Sequence, residues 1–252
     1  MPSPSFSPPP LDLELKTDEI HVWCASLDQP VSQFQRLRQT LSIDERMRAE
    51  RFHFEQDRKR FIVGLGILRT ILGRYLSVQP SELRFCYGKN GKPRLTDTSG
   101  NQIIYFNMSR SGGLALYAFT RDREIGVDIE YIHDLSEMDQ IAKRFFSFGE
   151  NNVFRELPES KKKEAFFRCW TCKEAFIKAV GGGLSHPLDK FDVSLDPGEP
   201  ARLLRIEGDS KAASRWTIQE LKPASGFTAA FALQAVNRRL HCWQFGSLLK
   251  KI

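Results

Sequence analysis

Glu124-Ile125-Gly126-Val127-Asp128-Ile129-Glu130 alternates without a break between apolar residues and small or acidic ones. Side chains of a strand point to opposite faces in turn. Ile125, Val127 and Ile129 therefore face one way, and Gly126, Asp128 and Glu130 the other. Aspartate and glutamate are poor strand formers, and carboxylates this close repel. Two arrangements relieve the repulsion. One is a hard divalent cation held by the oxygens; the other is a solvated strand face paired with lysines.

The order of elements around this strand decides the fold class. Upstream, residues 18–27 read as a strand. Ser42 and Glu45 have capping-box spacing and open a helical region that runs to about Leu76, with a break near Gln56. Gly64, Gly66 and Gly73 in its second part point to close packing against a neighbour. Strand-like segments follow at 82–87, 102–108 and 114–120. Downstream of the acidic strand the order repeats. Helices read over 137–146 and 161–180, stopped by Gly181, Gly182 and Gly183. Strands read at 191–195, 216–221, 227–235 and 241–245. The expected fold is α+β, duplicated into two similar halves, with a cleft between them as the natural place for a site. The expected divisions are a flexible N-terminal tail over 1–15, an N-terminal half over 16–121 and a C-terminal half over 122–252.

Bulk properties narrow the function classes. The chain has 252 residues, 41% apolar, with 19 phenylalanines, which is ample for a packed core. The formal charge of +6 suits an acidic partner or a phosphorylated ligand. No Lys/Arg block or aromatic-basic motif points to nucleic acid. No apolar run approaches the roughly 18 residues that span a bilayer. Residues 1–10 have neither a basic nor an apolar segment of the secretory kind. The five cysteines are odd in number and scattered, so a reducing cytoplasm is expected.

A second motif, Trp170-Thr171-Cys172-Lys173-Glu174-Ala175-Phe176-Ile177-Lys178, lies in the helical segment 161–180. Glu174 and Lys178 are four apart and share a helix face. Taken alone, they read as an exposed ion pair worth a few tenths of a kcal/mol. Phe166, Trp170, Phe176 and Ile177 supply an apolar stripe. Cys169 and Cys172 form a CxxC inside the helix rather than at its N-terminus, so a structural role is expected.

Together the motifs resemble the Sfp-type 4′-phosphopantetheinyl transferases. The family pattern G-[VI]-D-[IL]-E matches Gly126–Glu130, and W-x-x-K-E-[AS]-x-x-K matches Trp170–Lys178. Gly91-Lys92-Pro93 and Phe106-Asn107-Met108-Ser109-Arg110-Ser111 stand in the family's order, and Ala142–Ser147 is similar. The resemblance covers roughly residues 40–195. It implies a pseudo-duplicated fold with nucleotide contacts in the first half and the metal in the second. Asp128, Glu130 and Glu174 fall on the family's Mg²⁺ ligands. Lys178 falls on a catalytic lysine near the leaving group. Arg48, Arg60, Lys92 and Pro93 match positions that bind coenzyme A. So do Ser109, Arg110, Lys173 and Lys178. Glu150 falls on a glutamate proposed as the base, with metal-bound water an equal contender. The family usually has histidine where this chain has Arg110, and arginine can also hold phosphate, bidentately.

The activity this implies is holo-[acyl-carrier-protein] synthase chemistry. Phosphopantetheine passes from coenzyme A to a serine of an acyl or peptidyl carrier protein, releasing 3′,5′-ADP. The expected enzyme is a monomer that meets an acidic carrier helix transiently, away from nucleic acid and membrane. The competing reading is a non-catalytic protein that binds coenzyme A or carrier on the same fold. A Mg²⁺-dependent phosphoesterase comes third, lacking a second carboxylate cluster.

Overall fold

Eight residues of alternating and β-branched character form β1 (Glu19–Ser26), which is buried along nearly its whole length. Three helices follow: α1 (Val31–Gln39), α2 (Ile43–Ala49) and α3 (Glu55–Leu76). The computed structural model describes residues 5–88, 91–96, 104–181, 187–196, 198–209 and 211–247. The first half continues with a small hairpin, β2 (Phe85–Tyr87) and β3 (Pro93–Leu95), then β4 (Tyr105–Ser111) and β5 (Leu114–Thr120). The second half runs β6 (Ile125–Tyr131), α4 (Met138–Phe145), α5 (Phe148–Glu156) and α6 (Glu159–Val180). It ends with β7 (Phe191–Val193), β8 (Leu203–Ile206), β9 (Thr217–Leu221), β10 (Phe227–Leu233) and β11 (Arg239–Gln244).

The duplication is visible in the sheets. Antiparallel order β1-β5-β4 in one half is matched by β6-β10-β9 in the other. The long helices α3 and α6 are both 22 residues and both end on a left-handed residue, Ser77 and Gly181. Each half also opens a short helix with a complete capping box, Ser42 with Glu45 and Ser147 with Glu150.

The two sheets meet face to face. Ile125, Val127 and Ile129, all fully buried, pack with Val22, Leu116 and Ala118 of the first sheet and Phe231 of their own. This is the apolar face expected of the acidic strand. Fully burying such a side chain contributes about 1.5–3 kcal/mol. One core lies under α3 and a third surrounds α6.

Several boundaries differ from the expectation. The final strand β11 leaves the second half and pairs in parallel with β1, so residues 239–244 belong to the first sheet. Residues 6–15 of the expected tail are seated rather than free. Ser7 exchanges backbone bonds with Cys242 and Gln244, and Leu15 is buried. The helical region breaks at residues 50–54, earlier than Gln56. Helices α1 and α5 and strands β3 and β8 were not anticipated. Residues 1–4 of the tail, the strand start at Gln102, and Gly182 and Gly183 lie outside the described residues.

Candidate active site

Gly126 sets the geometry of the site. A Cβ there would lie 2.0 Å from Ala175 O and 2.5 Å from Ala179 N. No side chain fits, so the backbone of α6 lies directly on β6. That contact brings Glu174 and Lys178 of the helix to the acidic face of the strand. The Lys178 Nζ lies 2.6 Å from Asp128 Oδ1 and 3.0 Å from Ser109 Oγ.

Between β4 and β6 side chains, rather than a backbone ladder, join the two halves. Alternate residues of β4 reach across. Asn107 Oδ1 accepts from Val127 N at 2.9 Å. Ser109 Oγ donates to Asp128 Oδ1 at 2.8 Å, and Ser111 Oγ donates to Glu130 Oε2 at 2.9 Å. Ser111 Oγ also accepts from Tyr131 N. Each metal-ligand candidate on the strand is thus held by a serine from the other half.

The carboxylates leave acceptor capacity unused. Asp128 Oδ2 and Glu174 Oε1 are buried and have no hydrogen-bond partner among the described residues. Buried anionic oxygens in this state are costly unless a cation satisfies them. Burial pushes the Glu130 and Glu174 carboxyls above their ordinary range, and the neighbouring Asp128 charge pushes the same way. Three hard oxygen ligands with two orphaned atoms fit Mg²⁺. The oxygens of the three do not all lie within 4.8 Å of one another, and Lys178 is the cation that now meets Asp128.

A basic cleft of about 300 Å³ opens beside this cluster, lined by Arg48, Lys92, Pro93, Arg110 and Lys178, among others. Arg48 and Arg110 both lie over the Phe61 ring, each 5.6 Å from its centroid. Among the described residues, neither has a carboxylate within ion-pair range. Lys92 is differently engaged. Its ammonium donates to Glu124 Oε2 at 2.7 Å and to the carbonyls of Ile125 and Lys178, so it clamps β6 to the end of α6. Arg60 is held bidentately by Asp28 and lines an adjoining depression that shares Arg110.

Two expected site residues are corrected. Lys173 is wholly inaccessible, 2.7 Å from Glu150 Oε2, and donates to the carbonyls of Leu188 and Phe191. Glu150 accepts from Ser147 N and Val193 N with its remaining capacity. Neither side chain reaches the cleft. They form the internal pair of the second half, as Glu45 and Arg69 form that of the first. Arg69 lies 2.8 Å from Glu45 Oε2 and donates to the carbonyls of Pro80 and Leu83. Arg69 and Lys173 are each the fifteenth residue of their helix. Cys169 and Cys172 are likewise internal, and burial pushes the Cys172 thiol up to about 12.

Asn107, Ser111, Gly126 and Glu124 were not anticipated as parts of the site. The period-two spacing of Asn107, Ser109 and Ser111 was the available signal for a strand presenting three hydrogen-bonding side chains to one neighbour.

The acidic cluster is thus shared by two matched α+β halves and lies beside an arginine-lined cleft. The chain belongs to the 4′-phosphopantetheinyl transferase superfamily. That family description matches residues 124–233, and the description "4′-phosphopantetheinyl transferase, N-terminal" matches residues 27–121. The chain is 43% identical to the 4′-phosphopantetheinyl transferase HetI of Nostoc sp., over 96% of this chain and 98% of that one. It is 34% identical to the transferase Sfp of Bacillus subtilis, over 67% of this chain and 74% of that one. Human L-aminoadipate-semialdehyde dehydrogenase-phosphopantetheinyl transferase is 28% identical, over 79% and 68% of the two chains.

Proposed function

We propose that this transferase moves 4′-phosphopantetheine from coenzyme A to a serine of an acyl or peptidyl carrier protein. The observation that carries the reading is the pair of orphaned oxygens on Asp128 and Glu174, beside the arginine-lined cleft that Lys178, bonded to Asp128 Oδ1, also lines. In the proposed reaction the serine hydroxyl gives up its proton to water in the cleft, and its oxygen forms a bond to the β-phosphorus of coenzyme A. The bond from that phosphorus to the bridging oxygen breaks, and 3′,5′-ADP departs. Such a transfer needs positioning and positive charge more than covalent chemistry. Asp128, Glu130 and Glu174 would hold Mg²⁺, which neutralises phosphoryl charge when bound. Lys178 meets the developing charge from the helix side. Arg48 and Arg110, which have no carboxylate within ion-pair range among the described residues, hold the nucleotide phosphates. Lys92 fixes the wall of the cleft between β6 and α6. Both walls of the cleft come from the chain's own halves, so the proposed transfer needs a single copy. The net charge of +6 suits the acidic helix of a carrier.

The test is incubation with coenzyme A, Mg²⁺ and an apo carrier protein, followed by mass spectrometry of the carrier. The expected product has gained one phosphopantetheine. Coenzyme A binding without mass gain on any of several carriers would overturn the proposal.

A further inference from the structure

Three other donors converge where β1 meets β11, away from the cleft. The parallel pairing sets His21 directly beside His241, and Glu19 shares the His21 face because it lies two residues away on the same strand. His21 Nε2 is 3.3 Å from Glu19 Oε2, and His241 Nε2 is 3.7 Å from Glu19 Oε1. One donor atom from each residue lies within 4.8 Å of the other two. Among the described residues, no other set of three such side chains is this close. A tetrahedral ion with bonds of about 2.0–2.1 Å spaces its ligands about 3.3 Å apart. Two of the three pairs therefore stand near that separation before any ion enters, each through its own oxygen of Glu19.

The surroundings fit a built site. Glu19 and His21 are buried, and the His241 side chain is 37% exposed. That leaves a solvent side for entry and for a fourth ligand. His21 Nδ1 is 2.7 Å from the Tyr75 hydroxyl, which also accepts from Trp23 Nε1 at 2.9 Å. A ring nitrogen engaged in this way orients the imidazole and directs its other nitrogen to a ligand. The His241 ring is stacked on Trp243. Arg239 and the Lys16 amide also reach Glu19, at 3.2 and 3.1 Å. The Arg239 side chain is 59% exposed and shares its guanidinium with Asp18, so it can withdraw.

We propose that Glu19, His21 and His241 bind a divalent transition-metal ion of the zinc type, fastening β11 to β1. Two imidazoles with one carboxylate suit such an ion, whereas Mg²⁺ prefers oxygen ligands alone. The role is structural: an ion that binds only the folded sheet raises its stability. The site is separate from the Asp128 cluster and does not depend on the proposed transfer reaction.

The test uses the full chain, stripped with a chelator and titrated with Co²⁺. One equivalent should give a tetrahedral visible absorption band, displaced by Zn²⁺, with a raised melting temperature. His241→Gln, at the accessible edge, should lose the band and the thermal shift, while Asp128→Asn keeps both. In the unaltered chain Zn²⁺ should protect His241 from diethyl pyrocarbonate, mapped by mass spectrometry, which needs no variant to fold. Absence of the band, its persistence in His241→Gln, its loss in Asp128→Asn, or unprotected His241 would each overturn the proposal.

Discussion

Glu150 and Lys173 face each other at 2.7 Å with side chains 2% and 0% exposed. The pair joins the first turn of α5 to the middle of α6, and its counterpart Glu45–Arg69 does the same for α2 and α3. Both glutamates are the third residue of their helix and close its capping box, so each carboxylate caps a helix end and neutralises a buried cation together. A role repeated in both halves belongs to the shared architecture, since only the second half carries Asp128, Glu130 and Glu174.

Breaking one member of the pair leaves an uncompensated buried charge, which costs about 3–5 kcal/mol. Lys173→Met should therefore lower the melting temperature sharply, and so should Glu150→Gln to a smaller extent. Transfer by Glu150→Gln should fall only as far as the folded fraction falls. A Glu150→Gln chain with an unshifted melting temperature and no transfer would restore Glu150 as the base.

Gly126→Ala is the most disruptive single methyl the site offers. The added Cβ meets the backbone of Ala175 and Ala179, neither of which can rotate aside. Overpacking of this kind typically costs about 1–3 kcal/mol, and more where backbone must move. The expected outcome is a lower melting temperature together with a loss of transfer larger than that stability change explains, because α6 carries both Glu174 and Lys178. Thermal unfolding and rate measured on the same preparation separate the two. A change in stability alone would show that the site tolerates the displacement of α6.

Ser111 holds Glu130 and accepts from Tyr131 N, so Ser111→Ala releases a metal-ligand candidate without touching the cleft. Partners of this kind typically tune metal affinity by about 10–100-fold. The Mg²⁺ concentration for half-maximal transfer should rise within that range, while KM for coenzyme A changes little. Glu174→Ala, which removes a ligand outright, should abolish transfer at any Mg²⁺ concentration. Unchanged Mg²⁺ dependence in both variants would dissolve the metal assignment.

Much of this architecture was legible because it is periodic. The alternation of Ile125–Glu130 announced both its buried face and its acidic one, and the matched order of elements announced two halves. What stayed hidden depends on distance. Nothing local says that Glu150 will find Lys173 across a helix connection, or that β11 will pair with β1 more than 200 residues earlier, as the bond from Arg239 to Asp18 shows. Helix α1 was missed because it buries only Leu37, and α5 because two of its three buried residues, Glu150 and Asn151, are polar. A search for apolar periodicity passes over both. Lys92 was read as a coenzyme A contact from its motif, while the partners it has here are a carboxylate and two carbonyls brought together only by folding.

Arg110 offers a test in which pH does the discriminating. Its guanidinium lies over Phe61 beside that of Arg48 and keeps its charge through the neutral range. If it holds a phosphate of the donor, KM for coenzyme A should show no titration from this group between about pH 6 and 8. Arg110→His replaces it with a group that titrates near 6.5. As pH rises through that value the imidazolium loses its charge, so KM of the variant should climb while kcat changes less. The neighbouring Arg48 charge disfavours the imidazolium, which moves the climb to lower pH than an isolated histidine would give. Coenzyme A lacking the 3′-phosphate, measured in parallel, reports which phosphate is involved, since its KM should lose the pH dependence if Arg110 meets that group. Superimposable pH profiles for the two proteins would mean that Arg110 does not touch phosphate, and the arginine-lined cleft would then rest on Arg48 alone.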